Sequence, residues 1–198
     1  MTNPFRVAGI VLAAGGSSRL GHPKQLVEYQ GQTLVARVIQ QLHQAGCGSV
    51  TTVLGAFESE IRPAIRHAST AILVNKSWEN GMGTSLRLAV KQTQNLANAV
   101  LIALCDQPLI ATAHYRNLVD AISRTDHPIV ATGYPEESIG VPAAFLRSEF
   151  ESLLALDDEE GAKRIIEGSE HHRIELTGLA NDLDTAKDLE DIMNLRNP

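Results

Sequence analysis

Apolar residues in this chain follow two alternating rhythms. Continuous runs at 7–12 (VAGIVL), 50–54 (VTTVL), 71–74 (AILV), 99–104 (AVLIAL) and 128–132 (PIVAT) have the length of buried strands. Between them, apolar positions return every three or four residues. Leu34, Val35, Val38, Ile39 and Leu42 predict a helix closed by Gly46, and 58–66 a shorter one. Leu86, Leu88, Ala89 and Val90 predict a helix over 84–94. Tyr115, Leu118, Val119 and Ile122 predict another after the run at 99–104. Strands apolar on both faces that alternate with helices imply a mostly parallel sheet covered on both sides, a three-layer α/β/α sandwich of Rossmann-like type. Past residue 133 the rhythm loosens. There 133–142 reads as a loop, 146–156 and 160–167 as helices, 173–176 as a strand and 185–195 as a last amphipathic helix. With no internal repeat, low-complexity tract or linker, 1–198 reads as one domain.

Composition narrows the chemistry. Of 198 residues, 43% are hydrophobic and 20% charged, ordinary for a soluble globular protein. A net charge of −6 argues against a nucleic-acid partner, so phosphates would be met by local cations, backbone N–H groups or a divalent metal. Cys47 and Cys105 form no C-x-x-C pair and no disulfide framework, which leads to the expectation of a reducing cytoplasm. No apolar run reaches the roughly 18 residues of a membrane span. Arg6 before the first run is too weak a signal for a secretory leader, and a first strand is the preferred reading.

Parallel sheets bind ligands beyond the carboxyl ends of their strands. The residues after Leu12, Val74 and Leu104 are therefore the places to look, and there the sequence becomes unusual. Leu12–Leu26 reads LAAGGSSRLGHPKQL. Gly16 and Gly21 have the spacing of a Walker A loop, but His22 and Pro23 stand where that loop needs Lys and Ser or Thr. The G-x-G-x-x-G pattern also fails, since the glycines fall at 15, 16 and 21. The physical content of an anion cradle remains. Gly15 and Gly16 permit positive φ and close approach, Ser17 and Ser18 add hydroxyls, and Arg19 and Lys24 add a planar fork and a compact ammonium. Pro23 stiffens the approach to Lys24.

After the strand at 99–104 comes Cys105-Asp106-Gln107-Pro108. A carboxylate fixed there by a proline turn suits Mg²⁺, which takes one or two carboxylates plus phosphate oxygens and water. Capping of the next helix is the plainer role, with Thr112 better placed for it. Asp182 and Asp184 precede the last helix and are open to either role, metal ligand or cap. Gly81, Gly83, Thr84 and Ser85 follow the strand at 71–74. They read equally as a loop facing a base or as a helix start, with Trp78 as an anchor. His171-His172 has no metal-ligand spacing and reads as a solvated turn.

The run L-A-A-G-x-S-x-R-L-G-x-x-K resembles the signature loop of nucleotidyltransferases with a GT-A-like (nucleotide-diphospho-sugar transferase) fold. Among these it is most similar to the MobA-like molybdenum cofactor cytidylyltransferases, and the similarity extends from residue 7 to 190. The resemblance implies transfer of CMP from CTP, or of another nucleotide from its triphosphate, to the terminal phosphate of a molybdopterin-type acceptor, with release of pyrophosphate. It implies nucleotide binding by Leu12, Ala13, Ala14, Gly15, Gly16, Ser17, Ser18, Arg19, Lys24, Gly81, Ser85 and Asp106, with Arg19 and Lys24 catalytic. Asp106 and Asp184, with Asp182 close behind, would hold Mg²⁺ or, in its place, Mn²⁺. Gly140 and Pro142 match an acceptor-side G-x-P segment, and Gly161-Ala162-Lys163 a G-A-[RK] stretch. A transient molybdoenzyme or chaperone partner would receive the product. Ala14 distinguishes this loop from the L-A-G-G of the guanylyl branch. Use of GTP, transfer to a sugar or polyol phosphate, and a non-catalytic cofactor carrier are the competing readings.

Overall fold

The computed structural model describes residues 4–17, 21–177, 182, 183, 185, 187, 188, 190 and 191. The chain begins with β1 (Val7–Ala13), a short hairpin β2 (Glu28–Tyr29) and β3 (Gln32–Thr33), and α1 (Leu34–Gln44). Then follow β4 (Ser49–Leu54), α2 (Glu58–Ala64), β5 (Ala71–Val74), α3 (Met82–Thr93), β6 (Ala99–Leu104) and α4 (Thr112–Ile122). The last part is β7 (Ile129–Gly133), β8 (Ile139–Leu146), α5 (Phe150–Leu154), α6 (Lys163–Gly168) and β9 (His171–Glu175).

Seven strands form one sheet in the order β5-β4-β1-β6-β8-β7-β9. All run parallel except β8, which is antiparallel to both β6 and β7. Side chains alternate across the sheet with period two. Val7, Val11 and Ala13 of β1 pack toward Val38 and Leu42 of α1, Ile61 of α2 and Leu118 of α4. Ala8, Ile10 and Leu12 pack the other way, toward Leu86 and Val90 of α3, Leu153 of α5 and Ile166 of α6. This is the expected three-layer α/β/α sandwich. Gly46, at φ +104°, ends α1 in a conformation that a side chain would strain.

Three expectations are corrected. The expected loop over 133–142 holds only for 134–138, since β7 runs to Gly133 and β8 starts at Ile139, and the expected helix from 146 begins only at Phe150 after a 3₁₀ turn over Arg147–Glu149. Gly140 and Pro142 hid that strand, because both residues are depleted in central strands. Here β8 has a register shift opposite Ala131 and Thr132, which accommodates them. His171 and His172 lie on edge strand β9, where the His172 ring stacks on His127 with centroids 6.2 Å apart. Of the expected helix over 185–195, residues 187, 188, 190 and 191 are helical; the rest, apart from Thr185, lie outside the described residues.

Phe145 is fully buried on β8 and packs with the α3 and α5 side of the core. Phe145→Ala should therefore cost about 3–5 kcal/mol in urea unfolding, the loss typical of a large core cavity and well beyond that of a residue on an exposed helix.

Candidate active site

Strand order reverses between β1 and β6, and ligands of open parallel sheets sit at such switch points. Both strands end level, with Leu12 opposite Leu104. Their exit loops, together with the segment after β5, enclose a cavity of about 310 Å³. Leu12, Ala13, Ala14, Gly15, Lys24, Ser85 and Asp106 line it, and so do Gly81, Trp78 and Met82. The three sequence segments singled out above thus meet in one place.

The loop after β1 is held by an unexpected residue. Gln25 is buried, and its side-chain amide donates to the carbonyls of Ala13 (3.0 Å) and Gly15 (2.9 Å). Ser17, at φ +47°, accepts the backbone N–H of Lys24 at 3.1 Å. The positive φ expected at Gly15 and Gly16 is found at Ser17 and Gly21 instead. Gly16 is needed for a different reason: a methyl group there would lie 3.1 Å from the Trp78 ring. A methyl group on Gly15 would meet nothing within 4 Å, so that side of the residue is open even though its carbonyl is held by Gln25. Pro23 opens the 3₁₀ turn that carries Lys24, its carbonyl accepting the Leu26 N–H at 3.0 Å. Ser18 and Arg19 lie outside the described residues.

Lys24 Nζ donates to Asp106 Oδ2 at 2.6 Å, and both side chains are about 15% exposed. Asp106 is not a helix cap. Thr112, expected to cap α4, is its first helical residue, and Ala111 occupies the cap position without a side-chain bond. Asp106 Oδ1 is buried and has no hydrogen-bond partner among the described residues. An unpaired hard oxygen on a carboxylate residue that lines a cavity fits a divalent cation such as Mg²⁺ or Mn²⁺. Among the described residues no cluster of three or more His, Cys, Asp or Glu could hold a metal alone. Mg²⁺ and Mn²⁺ typically complete such a site with substrate oxygens and water. Asp184 lies outside the described residues. Asp182 is within the site's reach, because the Leu183 N–H donates to the Asp106 carbonyl at 2.8 Å.

On the opposite wall, buried Asn75 donates to Thr84 (2.7 Å) and Ser85 (2.9 Å). Since Ser85 Oγ accepts that bond, its own proton is left to point elsewhere. Gly81 and Gly83 serve the fold more than a base: a methyl group on either would collide with the backbone of Asp157 or Asp158, although Gly81 also lines the cavity. Neither Thr84 nor Ser85 caps α3, which begins at Met82.

A second cavity of about 420 Å³ adjoins the first, sharing Leu12, Met82 and Leu104. Gly140 and Val141 line it, as do Gly161, Ala162, Lys163, Tyr134 and Asp182. Pro142 does not; it is buried, its carbonyl accepting the Thr132 hydroxyl at 2.6 Å. Burial pushes the Cys105 thiol at the first cavity up to about 12, which keeps it neutral and unfit as a nucleophile near neutral pH. Gln25, Asn75, Gln107 and Tyr134 carry no spacing signature and were not singled out from sequence. Their only signal is adjacency, Gln25 to Lys24 and Gln107 to Asp106.

Comparison with known proteins bears on the family and the fold. The model of the MobA-like NTP transferase domain matches residues 9–174. The chain belongs to that family. Nicotine blue oxidoreductase of Paenarthrobacter nicotinovorans is 37% identical over 141 residues, 65% of this chain and 69% of that one. A probable molybdenum cofactor guanylyltransferase of Bacillus cytotoxicus is 27% identical over 157 residues, covering 78% of this chain and 75% of the relative. The crystal structure of Rv0371c from Mycobacterium tuberculosis H37Rv superposes with a TM-score of 0.85 at 28% identity, over 96% of this chain and 98% of that one. The same protein has also been solved in complex with manganese; that structure has a TM-score of 0.81 at 26% identity over the same shares of the two chains. The fold of this MobA-like chain is thus that of a nucleotidyltransferase. No helix among its described residues is long and apolar enough to cross a membrane.

Two measurements check the site. Gln25→Leu strands two loop carbonyls and should lower stability by about 1–3 kcal/mol in urea unfolding. Cys47 and Cys105, both raised to about 12 by burial, should resist iodoacetamide at pH 8 in the native protein and react once it is unfolded.

Proposed function

We propose that this protein transfers CMP from CTP to the terminal phosphate of a molybdopterin-type acceptor and releases pyrophosphate. The observation that carries the reading is the Lys24–Asp106 pair, set at the switch point of the sheet in a cavity that shares a wall with a second one. A triphosphate in the first cavity and an acceptor in the second would meet at that wall.

Lys24, freed from Asp106 toward the phosphates, stabilises charge as it develops on the leaving oxygen. Arg19 adds a planar fork to the same end. An acceptor phosphate oxygen forms a bond to the α-phosphorus while the bond from that phosphorus to the oxygen bridging to the β-phosphorus breaks, and pyrophosphate leaves with the electron pair. No general base is required, because a phosphate monoester is largely ionised at pH 7. Asp106, with Asp184 or Asp182, would hold a divalent cation, which when bound neutralises phosphate charge. Ser85 and Gly81 border the space left for the base. Ala14 supports cytosine, since its methyl group narrows the cavity where the guanylyl branch has glycine. Gly140 meets the acceptor. Pro142 acts only by supporting the strand beneath.

Pyrophosphate release in Mg²⁺ with CTP, GTP, ATP or UTP, with and without molybdenum cofactor, tests this directly. Cofactor-dependent release with CTP alone is expected, and Lys24→Met or Asp106→Asn should each lower kcat about 10²–10³-fold, as loss of a single charge-stabilising group does elsewhere. Release with GTP alone would reassign the base.

A second reading rests on the 37% identity to nicotine blue oxidoreductase. The adjoining cavities would then hold an electron donor and an electron acceptor in contact. Oxidation of NADH or NADPH in the presence of a planar heterocyclic dye, without pyrophosphate release from any nucleotide, would favour it over transfer.

A further inference from the structure

We propose that Gln107 is the positioning residue that holds the second cavity in register with Asp106; its role in turnover rests on the transfer reading above. Gln107 follows Asp106 directly, and the residue is 95% buried. Its amide nitrogen lies 3.1 Å from Tyr134 Oη, 3.1 Å from Asp182 Oδ1 and 3.5 Å from the Val141 carbonyl. Tyr134 gives its own proton to that carbonyl, so its oxygen is left to accept from Gln107. The two amide hydrogens therefore go to Tyr134 and Asp182. Tyr134, Val141 and Asp182 all line the second cavity, whereas Asp106 lines the first.

The cost of this arrangement points to its purpose. Gln107 Oε1 is fully buried and has no hydrogen-bond partner among the described residues. An unsatisfied buried carbonyl is destabilising, and an apolar side chain of the same volume would avoid it. What glutamine adds over such a residue is its pair of N–H donors, aimed at one wall of the neighbouring cavity. Consecutive Cα atoms lie about 3.8 Å apart, so a displacement of that wall is felt at Asp106 within one residue. Transfer between two bound substrates is sensitive to displacements of this size, about 1 Å costing on the order of a hundredfold in rate.

Gln107→Met keeps the length of the side chain and removes both donors. In this variant the amide of Leu183, bonded to the Asp106 carbonyl, should exchange with solvent at least about tenfold faster, while amides of β6 stay unchanged as a control for folding. Affinity for Mn²⁺·CTP should stay within about threefold of the parent, and kcat for cofactor-dependent pyrophosphate release should fall about 10- to 100-fold. Tyr134→Phe removes one of the two acceptors without touching the core. It should show the same split between affinity and kcat, and add little to Gln107→Met in the double variant. Unchanged Leu183 exchange overturns the proposal, as does unchanged kcat, or an equal loss of nucleotide affinity and kcat. If the parent protein releases no pyrophosphate with any nucleotide, the transfer reading fails. Leu183 exchange in Gln107→Met then still decides whether Gln107 ties the two walls together.

Discussion

The central strand β1 is buried on both faces over all seven of its residues, and much of the architecture follows from that. A polar side chain within it would be desolvated without a partner, at a cost of several kcal/mol on transfer scales. Polar chemistry is therefore displaced to the point where the strand leaves the sheet. The neighbouring strand β6 is under the same constraint, and the parallel register ends the two strands at one height. Two loops that are remote in sequence thus emerge side by side, and Lys24 can reach Asp106 across 82 positions of chain. This ion pair follows from the sheet's geometry, since the two loops that carry it leave adjacent strands at one height.

Charge and geometry are divided between different residue types at this site. Lys24 and Asp106 are partly exposed, and a ligand can engage either. The uncharged amides of Gln25 and Gln107 lie deeper and fix backbone and side-chain oxygens in place. Amides suit this work, because they add no charge to the site and their burial costs less than that of an ion. Removing one member of a partly buried ion pair leaves the other short of a partner, so each charge also constrains the other.

Much of the fold was legible in the sequence, and its physics explains the parts that were not. Strands β1 and β6 read directly, because burial on both faces leaves uninterrupted apolar runs. Strand β8 did not, because Gly140 and Pro142 speak against a central strand unless an irregular register absorbs them. At the site, Lys24 and Asp106 stood out through their chemical type and their place after buried strands. Gln25 and Asn75 did not, because a side chain that satisfies backbone carbonyls or hydroxyls acts through three-dimensional proximity and has no period. Ser18, Arg19 and Asp184, candidates by their chemical type as well as by family resemblance, fall outside the described residues.

Strand β8, antiparallel to its neighbours in the seven-stranded sheet, divides the two cavities by topology. The loops around the first belong to β-α-β crossovers, in which each loop is tied to a helix that the sheet needs for its cover. The second takes one wall from the β7–β8 hairpin, whose connection runs only from 134 to 138. Lengthening such a connection changes closure entropy only slightly, by roughly 0.6 kcal/mol for a doubling. Insertions can therefore accumulate beside the second cavity without disturbing the strands that form the first. A fold with this arrangement can diversify one ligand while conserving the other.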